Sequence, residues 1–233
     1  MTRALLSEWG LEYQERNVLE DPVAADELAV MGIPGVPATV LDGRFVHGWN
    51  PALLAELVGR EHDPTPELSP DALLTRIQEL LSATEALALP LDAVALAVSH
   101  PERPRSLAGL IFHLCRLSAA YLDALEHGGL QRDWLQEEAP ADIQDGQALA
   151  GYARWVRARF AEWHPHIDKM DFEALVPTYY GPQSAHQLLE RTTWHAAQHL
   201  RQAHDLADRS PTGEPAPLPE TLWRSLPLPE SLW

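Results

Sequence analysis

The sequence predicts a mainly α-helical protein, with an up-down four-helix bundle in residues 69–209 after a small α/β unit in residues 1–60. Two observations support this prediction. Apolar residues recur every three or four positions through 69–209, as on the buried face of a helix. Residues 1–60 instead alternate short helical, strand-like and turn segments. The segment 61–68 is a polar linker with prolines, and residues 210–233 form a proline-rich tail.

Three short helices are predicted in the α/β unit, over residues 3–9, 21–31 and 50–58. Gly10 follows the first helix and ends it. The other two open with a polar residue followed by proline, as Asp21-Pro22 and Asn50-Pro51. The polar side chain caps the helix, and proline is favoured at the first helical position.

The strands of this unit are predicted from alternation and from one turn signal. Residues 11–18 alternate and include Tyr13, which indicates a strand. Residues 38–41 and 44–46 flank Asp42-Gly43, and this dipeptide between apolar segments is a strong signal for a β-hairpin.

Four long helices are predicted to begin near Ser69, Ser106, Gln147 and Ser184. A serine before the first apolar residue accepts hydrogen bonds from the free N–H groups of the first turn. Ser184 and Gln187 also have the spacing of a capping box. Short connections between such helices favour antiparallel neighbours, which predicts the bundle.

Composition excludes several classes of function. A formal charge of −17 without a local basic patch argues against nucleic acid as a partner. No uninterrupted apolar segment reaches 18 residues, so no membrane span is expected. The first residues lack the features of a secretion signal, so a cytoplasmic location is expected. Cys115 is the single cysteine, which rules out an internal disulfide and a Cys-x-x-Cys pair.

Histidines occupy the apolar faces of two predicted helices. The stripe on the fourth helix has the spacing 4-3-4-3-4 and consists of Leu188, Thr192, His195, His199, Gln202 and Leu206. The stripe on the second helix consists of Leu110, His113, Leu117, Ala120 and Ala124. His195 and His199 are one turn apart on one face. We therefore expect His113, His195 and His199 to converge inside the bundle.

Three imidazoles at core positions indicate a metal site. A buried polar group without a partner costs about 1–3 kcal/mol. One divalent ion bound by three neutral imidazoles removes this cost and leaves a fourth position for water or substrate. The alternative is that the His-x-x-x-His pair is exposed or singly hydrogen-bonded, which is the commoner state of such a pair taken alone.

Residues 69–209 resemble the DinB-like (DinB/YfiT-type) four-helix metalloproteins. The matching segments are Ser106-Leu-Ala-Gly-Leu-Ile-Phe-His113-Leu and Trp194-His195-Ala-Ala-Gln-His199-Leu-Arg-Gln202. The resemblance implies a zinc, nickel or similar ion held by the three histidines, and a possible homodimer. It also implies activities such as thiol-dependent transfer and isomerisation with mycothiol or bacillithiol.

Residues 1–60 resemble the later part of a glutaredoxin, which has a thioredoxin fold. Gly35-Val36-Pro37-Ala38 is similar to the loop that places a cis-proline beside a substrate thiol, and Asp42-Gly43 is similar to the hairpin of that fold. A trans proline in a rigid turn is the alternative. The Cys-x-x-Cys and the first strand of a glutaredoxin are missing, so the module is truncated, or the true start lies upstream of Met1. No dithiol chemistry is expected.

These observations favour a metal-dependent transferase that uses a low-molecular-weight thiol, of the bacillithiol or glutathione type, on a small electrophile. Gln202 is expected to support a histidine ligand, and Tyr179 and Tyr180 either line the pocket mouth or pack in the core. The alternatives are a metal-dependent hydrolase and a non-catalytic, metal-stabilised stress-response or interaction module. Whether the protein is an enzyme stays open at this stage.

The tail contains a near repeat, Pro-Leu-Pro-Glu-Thr-Leu-Trp at 217–223 and Pro-Leu-Pro-Glu-Ser-Leu-Trp at 227–233. Its prolines exclude a long helix. We expect its leucines and tryptophans to pack onto the bundle, and a peptide ligand for another protein is the alternative.

Overall fold

The structure is a computed structural model that describes residues 2–33, 35–63, 65–101, 103, 105–143, 145–229 and 231–233. The chain divides into two compact units, Met1–Thr65 and Pro66–Trp233. The division falls within the polar segment 61–68. Helices dominate the described residues, and the strands form two small two-stranded sheets. The fold is therefore mainly α, as predicted.

The first unit contains three helices and one hairpin. In chain order these are α1 (Thr2–Glu8), α2 (Pro22–Val30), β1 (Ala38–Leu41), β2 (Arg44–His47) and α3 (Pro51–Val58). The side chains of Asp21 and Asn50 cap α2 and α3 by accepting from the backbone N–H groups of Ala24 and Leu53. The predicted helix starts at these two proline positions are confirmed.

The hairpin forms where Asp42-Gly43 predicts it. Strands β1 and β2 pair antiparallel, with Leu41 opposite Arg44. Both turn residues have positive φ, 49° for Asp42 and 76° for Gly43, as the two-residue turn of such a hairpin requires. One cluster of buried side chains in this unit contains Val46, Leu54 and Leu57, against which Leu5, Trp9, Trp49 and Leu53 pack.

Residues 11–18 form no strand, so this prediction was wrong. A strand needs a neighbouring backbone with which to pair, and among the described residues β1 and β2 pair only with each other. The segment is instead anchored by Arg16, whose guanidinium donates to Asp21 at 2.8 Å. Tyr13 remains exposed. Alternation predicts a local preference for strand, but it does not supply the missing partner.

Four long helices make up most of the second unit. Its elements are α4 (Pro70–Ala88), α5 (Ala93–Leu96), α6 (Leu107–His127), α7 (Gly146–Trp163), β3 (Leu175–Val176), β4 (Gln183–Ser184) and α8 (Ala185–Asp208). Both α4 and α6 pack against α7 and α8. Ser69, Ser106 and Ser184 cap their helices, and the capping box of Ser184 with Gln187 is present. The short elements α5, β3 and β4 were not predicted.

Helix α6 lies at the centre of this packing. Among the described residues it alone is long and apolar enough to cross a membrane by length and composition. However, 83% of its most apolar stretch is buried inside the protein, which is typical of the core helix of a folded domain. The leucines and alanines of its predicted inward stripe are all buried.

The tail packs onto the second unit, as expected. Leu222 and Leu226 are buried. The guanidinium of Arg76 on α4 donates to the carbonyl of Arg224 at 2.9 Å. Further along, the indole N–H of Trp233 donates to Asp205 on α8 at 2.9 Å. The tail is thus fixed by both apolar burial and hydrogen bonds.

Candidate metal centre

Helices α6 and α8 bring the three predicted histidines together. The ring centroid of His113 lies 5.0 Å from that of His199 and 6.1 Å from that of His195, and the centroids of His195 and His199 are 4.6 Å apart. One nitrogen from each ring can be chosen so that all three lie within 4.8 Å of one another. The spatial convergence expected from the two stripes is therefore present.

Two ring nitrogens in this cluster lack any hydrogen-bond partner although they are buried. These atoms are Nδ1 of His113 and Nε2 of His199. A buried nitrogen with an unused lone pair is unfavourable unless a ligand engages it. The geometry and the unused nitrogens both fit a cation bound between the rings.

The cluster is uncharged at neutral pH. Burial is the main cause that lowers the pKa of His113 to about 2, followed by the neighbouring His199 and Arg105. Burial likewise lowers the pKa of His199 to about 4 and that of His195 well below its ordinary value. Neutral imidazole is the form that binds metal. No carboxylate or thiol joins the three rings in the part of the chain that the structure describes.

Gln202 determines which nitrogen of His199 is free. Its amide nitrogen donates to the carbonyl of Leu232 at 2.7 Å, so its Oε1 faces Nδ1 of His199 at 2.8 Å. An amide oxygen can only accept, and Nδ1 must therefore carry the ring proton. The lone pair of His199 then lies on Nε2, the buried atom without a partner. A metal-ligating histidine is oriented in this way in many metalloproteins.

The tail takes part in this arrangement through the backbone of its last residues. Besides Gln202, the amide of Gln198 donates to the carbonyl of Leu232 at 2.7 Å. The ring of Trp233 stacks on His100 with a centroid distance of 4.5 Å. No sequence pattern predicts these contacts, because an irregular proline-rich backbone has no periodicity that identifies its partners.

Tyr179 and Tyr180 do not lie in the histidine cluster. Tyr180 is buried, its hydroxyl donates to Gln183 at 3.2 Å, and the guanidinium of Arg191 lies 4.0 Å from its ring centroid. Tyr179 meets Tyr180 edge-on at 4.8 Å. Arg191 links them to the site, because its charge contributes to the lowered pKa of His195. We predicted that Tyr179 and Tyr180 either line the mouth of a pocket or pack in the core, and Tyr180 packs in the core.

Arg105 is a residue that the sequence reasoning missed. It lines a cavity of about 610 Å³ together with Gly109 and the segment 136–139. After burial and neighbouring groups, its charge also contributes to the lowered pKa of all three histidines. Gly109 and His113 lie one turn apart on one side of α6, but Arg105 precedes the helix, whose N-cap is Ser106, so helical spacing does not predict its position.

In the first unit, the Val36–Pro37 peptide bond is cis, as the resemblance predicted. Both residues line a cavity of about 630 Å³ that also includes Arg16 and Thr39. No cysteine lies in this unit. Cys115 is buried in the second unit, and burial raises the pKa of its thiol. The loop therefore borders a cavity, and the unit offers no thiol of its own.

Comparison with known proteins is informative for the first unit alone. The glutaredoxin family model matches residues 1–46. No curated protein and no solved structure matches the chain. The similarity to a glutaredoxin thus covers α1, α2, β1 and most of β2, and it ends before the residues that form the histidine cluster.

Proposed function

We propose that the second unit is a DinB-like four-helix bundle that binds one divalent metal ion, zinc or nickel, through His113, His195 and His199. We further propose that the protein is a metal-dependent transferase acting with a low-molecular-weight thiol on a small electrophile. The observation that supports the proposal most directly is the tautomer of His199, whose proton is held on Nδ1 by Gln202 while its buried Nε2 has no partner.

The residues around the cluster are suited to holding a divalent ion. Three neutral imidazoles form a common ligand set for zinc and nickel. The absence of a carboxylate among the described residues of the cluster leaves the set short of the four ligands of a closed structural site. An open position is what a substrate would need.

A thiol is the ligand that we propose for the open position. When bound, the ion would supply a Lewis acid that holds a thiol as its thiolate at neutral pH. The chain itself provides neutral ligands, excludes water from Nε2 of His199, and fixes that ring through Gln202. The one cysteine is buried with a raised thiol pKa, so the nucleophile is expected to come from a small molecule.

The first unit adds independent support for a thiol. The glutaredoxin family model matches residues 1–46, and glutaredoxins handle glutathione-type thiols. Because the unit lacks cysteine, we infer that it contributes at most binding and no redox step.

A metal-dependent hydrolase is less well supported. Activation of bound water commonly uses a nearby carboxylate as general base. No Asp or Glu belongs to the histidine cluster in the described residues. A non-catalytic, metal-stabilised module remains the alternative from another class, and it predicts a metal-dependent melting temperature without turnover.

The test is conjugation of bacillithiol or glutathione to an activated aryl chloride by the zinc- and nickel-loaded protein. We expect turnover that is abolished by a chelator and by His195→Ala. The matched control is His204→Ala, which removes a histidine of α8 that bonds to the tail at Ala216 and lies outside the cluster. Turnover that persists unchanged in His195→Ala would contradict the proposal.

A further inference from the structure

Arg105 stands just before α6, the helix that carries His113. The aliphatic part of Arg105 folds over Gly109, where a Cβ built on the glycine would lie 3.0 Å from Cγ of the arginine. Gly109 is therefore the residue that lets the side chain lie along the helix. One turn further along the same side is His113.

Arg105 has no ion-pair or hydrogen-bond partner among the residues that the structure describes. Arg116, by contrast, pairs with Asp123 at 2.9 Å and with Glu137 at 2.6 Å. Arg105 remains exposed to the cavity of about 610 Å³. An arginine without a partner that borders a cavity is suited to bind an anion, since its planar guanidinium matches a carboxylate.

The charges of the other residues that line the cavity do not strongly repel an anion. Glu137 lines it too, but its carboxylate is already paired with Arg116. Glu138 is exposed, so water and salt screen its charge. The other lining residues are mainly small and apolar, such as Ala93, Leu96 and Ala108. On a protein with a net charge of −17, this local cation is a specific point of attraction.

We propose that Arg105 binds the anionic group of a small molecule that also reaches the candidate metal centre, and that this group is a carboxylate. This inference rests on the proposed function, because it deepens the description of the same site. Either the thiol or the electrophile can bear the carboxylate, and the two sources are separated by experiment.

The first arm of the test uses two matched thiols, 3-mercaptopropionate and 3-mercapto-1-propanol, with the cobalt-loaded full chain. Calorimetry measures binding, and the sulfur-to-cobalt absorption band reports separately whether the sulfur reaches the metal. The second arm compares 4-(chloromethyl)benzoate with its methyl ester as electrophiles, each reacting with 3-mercapto-1-propanol, and measures KM.

In one of the two pairs of compounds, we expect the one with the carboxylate to bind about tenfold more tightly than its neutral counterpart. A charge-assisted hydrogen bond at a partly exposed site would give a difference of this size. Arg105→Gln should abolish that preference while leaving the visible cobalt spectrum unchanged. Arg103→Gln removes an exposed charge two residues away that does not line the cavity, and it should retain the preference. Gly109→Ala should weaken the preference without changing any charge, because the new methyl group displaces the arginine stem.

The outcomes distinguish the inference from the proposed function. No carboxylate preference in either arm, or a preference that survives Arg105→Gln, overturns the role of Arg105 even if the absorption band forms. A carboxylate preference that depends on Arg105, with no band for any thiol, supports the anion site and contradicts thiol activation instead.

Discussion

The two units of this protein differ in their similarity to a known family and in the reactive groups that they contain. The first unit has a recognisable family match over residues 1–46 and the cis Val36–Pro37 bond, but none of the cysteines on which the redox chemistry of that family depends. The second unit has no such match, yet it assembles three neutral imidazoles with one nitrogen from each within 4.8 Å of the others. The similarity to a known family and the cluster of potential metal ligands therefore lie in different parts of one chain.

The same contrast appears in packing. The first unit has a small core around Val46, Leu54 and Leu57. The second unit buries whole faces of four long helices, and α6 and α8 also bury polar groups. A large core can stabilise a polar cluster that would be too costly in a small one. The second unit is therefore the part of the chain in which a buried polar site is expected.

The largest expected effect is a pH dependence of the second unit in metal-free protein. Unfolded histidines have a pKa of about 6.5, whereas the folded pKa is about 2 for His113 and about 4 for His199. As pH falls below 6.5 the unfolded state gains protons that the folded state does not. Stability is therefore greatest above pH 6.5 and decreases towards pH 4. Each such histidine should remove about 2 kcal/mol between pH 7 and pH 5.

Urea denaturation of chelator-treated protein at pH 7 and pH 5 measures this effect. His113→Leu should reduce the pH dependence of the unfolding free energy by about 2 kcal/mol. The control is His127→Gln, an exposed histidine at the end of the same helix, which should leave the dependence as it is. Equal effects of the two substitutions would mean that the cluster is not held neutral.

The next effect concerns Gln202. Replacing it by alanine removes the acceptor that keeps the proton of His199 on Nδ1, and we expect divalent metal affinity to fall about 10- to 100-fold. Gln198→Ala is the matched control, because Gln198 also donates to the carbonyl of Leu232 but makes no hydrogen bond to a histidine of the cluster. A competition titration with a chromophoric chelator measures both. Similar losses would show that docking of the tail matters, and not the orientation of His199.

The smallest expected effect concerns the hairpin turn of the first unit. Gly43 has a φ of 76° and open space around it, so Gly43→Ala should cost about 1 kcal/mol through backbone conformation alone. The midpoint for unfolding of the first unit should fall, as followed by hydrogen exchange of β1 and β2. The metal content should not change. Loss of metal in this variant would indicate that the site depends on the first unit.

Much of the candidate site could be predicted because helical periodicity is local. The spacing from His195 to His199 and the apolar neighbours of His113 are enough to place each ring on an inward face. Helix starts at Ser69, Ser106 and Ser184 were equally predictable from capping.

Other features depend on contacts between distant segments and could not be predicted. The segment 11–18 has the composition of a strand, but whether it pairs is decided by another segment. Likewise, the hydrogen bond from Gln202 to Leu232 joins residues 30 positions apart, through a backbone carbonyl that carries no sequence information. Arg105 precedes its helix, so helical spacing did not predict that its side chain folds over Gly109.

The most direct test of the account is the ratio of metal to protein in purified full-length chain, measured by elemental analysis. We predict one zinc or nickel ion per chain for the wild type and for His204→Ala, and less than a tenth of that for His195→Ala. A full equivalent of metal in His195→Ala, or none in the wild type after incubation with zinc or nickel, would contradict the claim that the three imidazoles form a metal site.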